Sequence, residues 1–247
     1  MRYIASVSFG KDSLAMLLLL LEKGYPLDEV IFYDTGMEFN AIYDIRDKVV
    51  AMLKERNVQY TELHADKPFE YYMYEHPVKN KNTGKVHKFG YSWCGGTCRW
   101  GTSQKTSAID KYFKSMNYGE VVQYVGIASD EPERLIRGGG GGKNKLHPLA
   151  DWEMTESDCL QYCYQHGYEW LEDGIRLYDV LQRVSCRCCR NKNLKELENM
   201  YLYLPTYWRK LKDMQSRLKE PMKGDKSVFD LEKRFYYNKL QRKLKFM

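Results

Sequence analysis

Two patterns of side chains in this 247-residue sequence could do chemistry: a small, polar turn near the start, and seven cysteines in three groups. The turn is Ser8-Phe9-Gly10-Lys11-Asp12-Ser13, between the apolar run Tyr3 to Val7 and a helix-like run from Leu14 to Lys23. If a strand hands over to a helix there, a helix start lies beside the turn, with unpaired backbone N–H groups and the positive end of the macrodipole. That is a place to hold phosphate: Gly10 allows close backbone approach and Lys11 adds a full charge. The plainer alternative is an ordinary strand-to-helix turn with a surface lysine.

The cysteine groups are Cys94 with Cys98 (in Trp93-Cys94-Gly95-Gly96-Thr97-Cys98-Arg99), Cys159 with Cys163, and Cys186 with Cys188 and Cys189. The first and third groups look like loops flanked by glycine or arginine, which suits thiolates held on a metal. Four ligands drawn from Cys94, Cys98, Cys186 and either Cys188 or Cys189 accommodate Zn²⁺ or an iron–sulfur cluster, and spacing alone does not choose. Separate free thiols are the alternative. Cys159 and Cys163, at i and i+4 of a helix, read as core packing. His147 is expected at the rim of a site and His166 at a helix end. Asp130-Glu131 is a candidate for positioning metal or substrate, or a pair of solvated loop charges.

The elements that position these groups follow from hydrophobic pattern. Glu29 to Tyr33 reads as a buried parallel strand closed by Asp34-Thr35-Gly36, Ala41 to Arg56 as a helix, and Tyr60 to Leu63 as a short strand. Two βα units are therefore complete by residue 65. They predict an α/β fold with a mostly parallel twisted sheet, helices on both faces and ligands beyond the carboxyl ends of the strands. Pro68 to Tyr91 breaks the rhythm and reads as a long polar, aromatic loop over the active face, with Lys79-Asn80-Lys81-Asn82 and Gly84 within it. A helix from about Ser103 to Met116 and a strand from Val121 to Val125 follow, with Gly126, Asp130, Glu131 and Arg134 just past the strand's carboxyl end. Gly138 to Gly142 is expected to be a flexible loop near the mouth of the site. Thr155 or Ser157 can cap a helix running to about His166 and ended by Gly167. Leu194 to Leu204, Trp208 to Leu218 and Val228 to Leu244 have helical periodicity, with breaks at Pro205 and Lys219-Glu220-Pro221.

The formal net charge of +6 is uneven. Residues 205–247 hold 13 Lys and Arg against 5 Asp and Glu, so the basic excess belongs to the tail. A solvated helical face explains it, and so does contact with nucleic acid or another polyanion. Tyr207, Trp208, Phe235, Tyr236 and Tyr237 among those cations could stack on bases or pack on the domain. The longest apolar run, Leu14 to Leu21, is too short for a membrane span and the N-terminus reads as a core strand, so a cytoplasmic protein without membrane contact is expected.

Ser8 to Ser13 is similar to the S-G-G-K-D-S loop of the PP-loop ATP pyrophosphatases, the adenine-nucleotide α-hydrolase-like superfamily. Phe32-Tyr33-Asp34-Thr35-Gly36 resembles that superfamily's second-strand signature. Gly126 to Arg134, Pro148-Leu149-Ala150-Asp151-Trp152 with its following helix, and the Cys186 to Cys189 knot narrow the resemblance to the phosphoadenosine phosphosulfate reductase family. The ordered blocks span roughly residues 2 to 200. The resemblance implies a nucleotide-binding PP-loop domain over residues 1–204, with a Cys-containing insertion, and a basic helical appendage over 205–247. It implies binding of ATP, with Mg²⁺, at the carboxyl edge of the sheet and cleavage at the α-phosphate. An oxygen of a second substrate would be adenylated and a sulfur donor, such as a sulfur-donor protein, would then displace the adenylate.

On that reading Lys11, Ser13, Asp34 and Arg134 are catalytic candidates. Ser8, Phe9, Gly10, Lys11, Asp12, Ser13, Asp34, Thr35, Gly36 and Gly126 bind the adenine nucleotide. Lys11 and the amides of Gly10, Asp12 and Ser13 would neutralise the departing pyrophosphate, and the Ser8 and Ser13 hydroxyls would fix its oxygens. Asp34 would orient the nucleotide or help hold Mg²⁺, and Gly126 would let the backbone pass beside adenine or ribose. Family habit favours an iron–sulfur cluster on Cys94, Cys98, Cys186, Cys188 and Cys189, with Zn²⁺ as the alternative.

The sequence departs from the family pattern in three places. Phe9 replaces the loop's first glycine, which requires a backbone that avoids positive φ and a side chain turned from the phosphate. Ala128 replaces the first arginine of the G-I-R block, removing an anion clamp. No cysteine follows Cys189, whereas sulfonucleotide reductases carry a nucleophilic cysteine near the C-terminus. The expected function is thus an ATP pyrophosphatase-type enzyme serving sulfur transfer or another adenylation-driven modification, with nucleic acid as second substrate, reached through the basic tail. The alternatives are a sulfonucleotide reductase and a non-catalytic nucleotide-sensing or nucleic-acid-binding module.

Overall fold

The computed structural model describes residues 1–94, 98–116, 118–136 and 144–244; the five-glycine run and Gly95-Gly96-Thr97 lie outside the described residues. The chain divides into two compact units, one of residues 1–65 and 104–170, the other of residues 66–103 and 171–247.

In the first unit, β1 (Arg2–Ser6), α1 (Lys11–Glu22), β2 (Glu29–Tyr33), α2 (Asn40–Glu55) and β3 (Gln59–Leu63) follow in order. β2 is buried at all five positions, which is why its apolar run shows no alternation and why its bounds were legible in sequence. The second unit opens with a π-helical turn, Tyr71–Glu75, then β4 (Pro77–Lys79) and β5 (Val86–Phe89), an antiparallel hairpin with a register shift at Val78/Lys79. The stretch expected to be a long irregular loop is thus an ordered turn and hairpin. Its strands are three and four residues long and nowhere fully buried, too short to leave a hydrophobic periodicity.

A second π-helical turn, Arg99–Gln104, leads into α3 (Lys105–Met116), β6 (Val121–Val125), α4 (Pro132–Ile136), β7 (Lys145–Leu146), α5 (Pro148–Asp151) and α6 (Glu156–Gln165). Thr155 caps α6 as expected, in a reciprocal capping box with Asp158. The second unit resumes with β8 (Leu171–Glu172) and β9 (Ile175–Arg176), a small antiparallel pair, then α7 (Leu177–Val180), α8 (Leu194–Tyr203), α9 (Pro205–Ser216) and α10 (Val228–Leu244). Pro205 is the first residue of α9, where a missing N–H costs nothing.

The central sheet is five-stranded and parallel throughout, in the order β3-β2-β1-β6-β7. The first three strands step one way and β6 returns to the other side of β1, so the strand order reverses between β1 and β6. That switch point is where open α/β sheets form a crevice for ligands. Ile4 and Ile31 pack on Ile109 of α3, while α1 packs on α5 and α6, and buried β2 is covered on both sides. The two-residue β7 had no sequence signature of its own.

Within the second unit, α8, α9 and α10 share an aromatic core: Tyr201, Trp208 and Phe235 lie with ring centroids 5.6 to 6.1 Å apart. Among the described residues no helix is long and apolar enough to cross a membrane.

Candidate active site

The Ser8 to Ser13 turn joins β1 to α1 at the switch point, as its residue types suggest. Gly10 is the N-cap of α1 in extended backbone, and no side chain caps the helix. The turn is tied to itself: Ser13 Oγ accepts from the Ser8 amide at 3.1 Å, donates to the Gly10 carbonyl at 3.1 Å and lies 3.1 Å from Ser8 Oγ. The two hydroxyls expected to hold phosphate oxygens therefore also set the shape of the loop.

Phe9 corrects an expectation. Its φ is 56°, in the left-handed region that costs a bulky residue about 1–2 kcal/mol. The backbone thus takes a conformation that glycine adopts at no steric cost. Burial offsets the strain: Phe9 is fully buried, its ring 5.0 Å edge-on to Phe32 and 6.4 Å from Tyr60. The fully buried Trp170 donates its indole N–H to the Phe9 carbonyl at 2.7 Å, fixing the peptide from the other side.

Lys11 is buried and ion-paired, with Nζ 2.8 Å from Asp12 and 2.6 Å from Glu156, the first residue of α6. Burial tends to lower its pKa, but Asp12 and Glu156 outweigh it and hold the ammonium above the ordinary lysine value. Burial lifts the Asp12 carboxyl, with the Lys11 charge opposing. Carboxylate oxygens of Asp12, Glu131 and Glu156 lie within 4.8 Å of one another. Arg134 pairs with Glu131 at the edge of this group, and Asp130 accepts from the Glu156 amide at 3.0 Å. Sequence reasoning missed Glu156, which looked like an ordinary first-turn helix residue; only the packing of α6 on α1 brings it to Lys11.

Gly126 is also needed for a close approach within the protein. A Cβ there would lie 2.9 Å from Ser13 Cα and 3.1 Å from the Asp12 carbonyl, so the missing side chain lets β6 pass the phosphate loop itself. Ala128, in place of the absent arginine, is fully buried.

Asp34, past the end of β2, accepts from Tyr43 Oη and the Gly36 amide, each at 2.8 Å; burial and Asp34 together push the Tyr43 phenol up. Thr35 donates to Glu38 at 2.7 Å, and Gly36 takes a φ of 71°. Asp34, Glu62 and His64 form a second group with ligand atoms within 4.8 Å. His147 has Nδ1 3.4 Å from the Val125 carbonyl, and His166 Nδ1 is 2.8 Å from the Tyr162 carbonyl. Cys159 and Cys163 are fully buried, and the Cys163 thiol donates to the Lys11 carbonyl at 3.4 Å.

The five remaining cysteines all belong to the second unit and are free thiols. Burial pushes Cys94 up, against the charges of Arg99, Lys88 and Arg190. It pushes Cys98 up as well, and the neighbouring Cys94 and Cys189 thiols add to the effect. Arg190 joins the two cysteine loops by donating to the Trp93 carbonyl at 3.1 Å. Lys192 is almost wholly buried, donating to Ser185 Oγ at 3.1 Å and the Arg183 carbonyl at 3.3 Å; burial lowers its pKa while Cys189, Glu196, Cys186 and Cys188 oppose. Among the described residues, Ser92 Oγ and Trp93 Nε1 are buried without a hydrogen-bond partner. Buried donors and a buried cation beside five thiols fit a sulfur-ligated, anionic group better than they fit separate neutral thiols.

A model of the phosphoadenosine phosphosulfate reductase domain matches residues 2–172. No curated protein matches the chain. Among solved structures, the chain is similar to the U34-tRNA thiolase NcsA from Methanococcus maripaludis with its [4Fe-4S] cluster, at 15% identity and a TM-score of 0.45, over 96% of this chain and 72% of that one.

Proposed function

Because the chain belongs to the phosphoadenosine phosphosulfate reductase domain family, a PP-loop, nucleotide-using and sulfur-related group, we propose that it cleaves ATP at the α-phosphate to activate a second substrate for sulfur transfer. The observation that carries this is Lys11, buried at the switch point in a self-tied loop and ion-paired to Asp12 and Glu156, whose carboxylates lie with that of Glu131 in one group. An oxygen of the second substrate attacks the α-phosphorus, the bond to the β-phosphate oxygen breaks, and pyrophosphate leaves. Lys11 and the first turn of α1 stabilise the charge on that leaving group.

The three carboxylates suit a hard cation, and they would hold Mg²⁺, which when bound shields the polyphosphate. The bound nucleotide would release Lys11 from Glu156 as its own oxygens take the ammonium. A sulfur nucleophile then attacks the carbon that bears the adenylated oxygen, the carbon–oxygen bond breaks as the carbon–sulfur bond forms, and AMP leaves with that oxygen. Cys94, Cys98, Cys186 and Cys188 or Cys189 would hold an iron–sulfur cluster, which when bound supplies a site for the incoming sulfur. Arg190, Lys192 and the Trp93 indole would balance and orient those thiolates. Nucleic acid is the second substrate on this reading, met by the basic residues of the second unit.

The reductase alternative is disfavoured by buried Ala128 in place of an arginine. Labelled ATP, Mg²⁺ and a panel of nucleic acids test the proposal. Pyrophosphate and AMP are the expected products, and Lys11→Ala lowers their formation by about 100- to 1,000-fold with an unchanged melting temperature. Full activity in that variant, or sulfite release from a sulfonucleotide, overturns the assignment.

A further inference from the structure

Between Glu75 and Asp110 the sequence has no acidic residue, and four lysines, Lys79, Lys81, Lys85 and Lys88, fall on the β4–β5 hairpin. Lys79, Lys81 and Lys85 are exposed, as is His87, and Phe89 is 71% exposed at the end of β5. We propose that this hairpin is a docking arm for an unpaired nucleic-acid strand, its lysines on phosphates and Phe89 stacked on a base.

The hairpin is built to hold its shape. At the tip, the Asn80 side chain accepts from the Asn82 amide at 2.8 Å and the Thr83 amide at 3.2 Å, and Gly84 closes the turn at φ 67°. At the base, Gly90 donates to the His76 carbonyl at 2.8 Å, and a Cβ at Gly90 would fall 2.2 Å from the Met73 carbonyl. The His76 ring stacks on Tyr91 with centroids 4.8 Å apart. The turn preceding the hairpin is held in turn by Arg217, 3.7 Å over the Tyr74 ring. Lysines fixed on such a frame lose less freedom on binding than a floppy basic loop would.

The charge selects a polyanion, and the exposed aromatic selects one with flat faces to stack on. A short edge hairpin with an exposed Phe would otherwise be a liability, and edge lysines alone would guard it. Cys94 follows Phe89 by five residues in the same unit, so the arm leads to the first cysteine loop. The inference rests on the nucleic-acid part of the proposed function, but binding needs neither ATP nor turnover, so the two can fail separately.

The test is fluorescence anisotropy with a labelled 20-mer of oligouridylate, without ATP, at several salt concentrations. Reversal of the three exposed lysines (Lys79→Glu, Lys81→Glu, Lys85→Glu) should weaken binding at least 30-fold. It should also flatten the slope of log affinity against log salt by about 2 units, at roughly 0.7 per phosphate contact. The milder triple change to Gln gives the same slope change should the reversed protein not fold. Phe89→Ala should cost about 10-fold with the salt slope unchanged, as expected for stacking. Reversal of Lys233, Arg234 and Lys239 on α10 is the control. If only that change weakens binding, or if polyglutamate or duplex DNA competes as well as the single strand, the hairpin is not the arm proposed.

Discussion

The two units treat cysteine and charge in opposite ways. In the first, Cys159 and Cys163 sit dry against α1, and the polar groups of the phosphate loop are bonded to one another. In the second, five thiols sit in loops among arginines and lysines, with Ser92 Oγ and Trp93 Nε1 buried and without a hydrogen bond among the described residues. Residue type was therefore a poor guide to role, and the local frame was a good one. A cysteine on the apolar stripe of a helix is a small hydrophobe; one in a loop beside guanidinium groups is a ligand or a nucleophile in the making.

The sharpest way to break this comparison is alkylation of chelator-treated protein with iodoacetamide at pH 8, mapped by mass spectrometry. Burial pushes the Cys159 thiol up to about 12 and Cys163 higher still, so their thiolates form only far above that pH. Their labelling should be at least about 100-fold slower than that of Cys94, Cys98 or Cys189 in the native state. Equal rates would mean that the helix pair is exposed in solution.

Metal content sharpens the same contrast. In anaerobically purified protein, Cys98→Ala should lower bound iron by about 10- to 100-fold, while Cys163→Ala leaves it unchanged. Iron retained in the first variant, or lost in the second, would reverse the roles assigned to the two groups.

Phe9→Gly weighs strain against packing in the phosphate loop. Relief of the left-handed backbone returns about 1 kcal/mol, but loss of a fully buried phenyl costs about 3–5 kcal/mol, so a net loss near 2–4 kcal/mol is expected in denaturant unfolding. A stabilised variant would mean that strain dominates. The smallest effect is expected from Gly126→Ala. The new methyl would lie 2.9 Å from Ser13 Cα, so the backbone must shift, at a cost of about 1–3 kcal/mol in unfolding and a weaker apparent affinity for ATP. An unchanged KM would show that this contact does not shape the loop.

Much of the first unit was legible because its signals are local. β2 and β6 kept the bounds that their apolar runs suggested, α6 began at the cap that Thr155 predicted, and the turn at Ser8 to Ser13 lies at a strand-to-helix handover. The hairpin and β7 were not legible, because strands of two to four residues are too short to show a periodicity. The absence of acidic residues from 76 to 109 was a sequence signal for the basic arm, visible as charge rather than as pattern.

By itself the sequence determined the parallel sheet, the position of the phosphate loop and the family, since buried strands, glycine turns and helix caps are written in neighbouring residues. Only the tertiary structure decided what surrounds Lys11, what Gly126 must clear and how Phe9 can replace a glycine. Glu156 lies 145 residues from Lys11 in sequence and 2.6 Å from it in space. A contact of that kind depends on how α6 packs against α1, and no stretch of either helix alone encodes it.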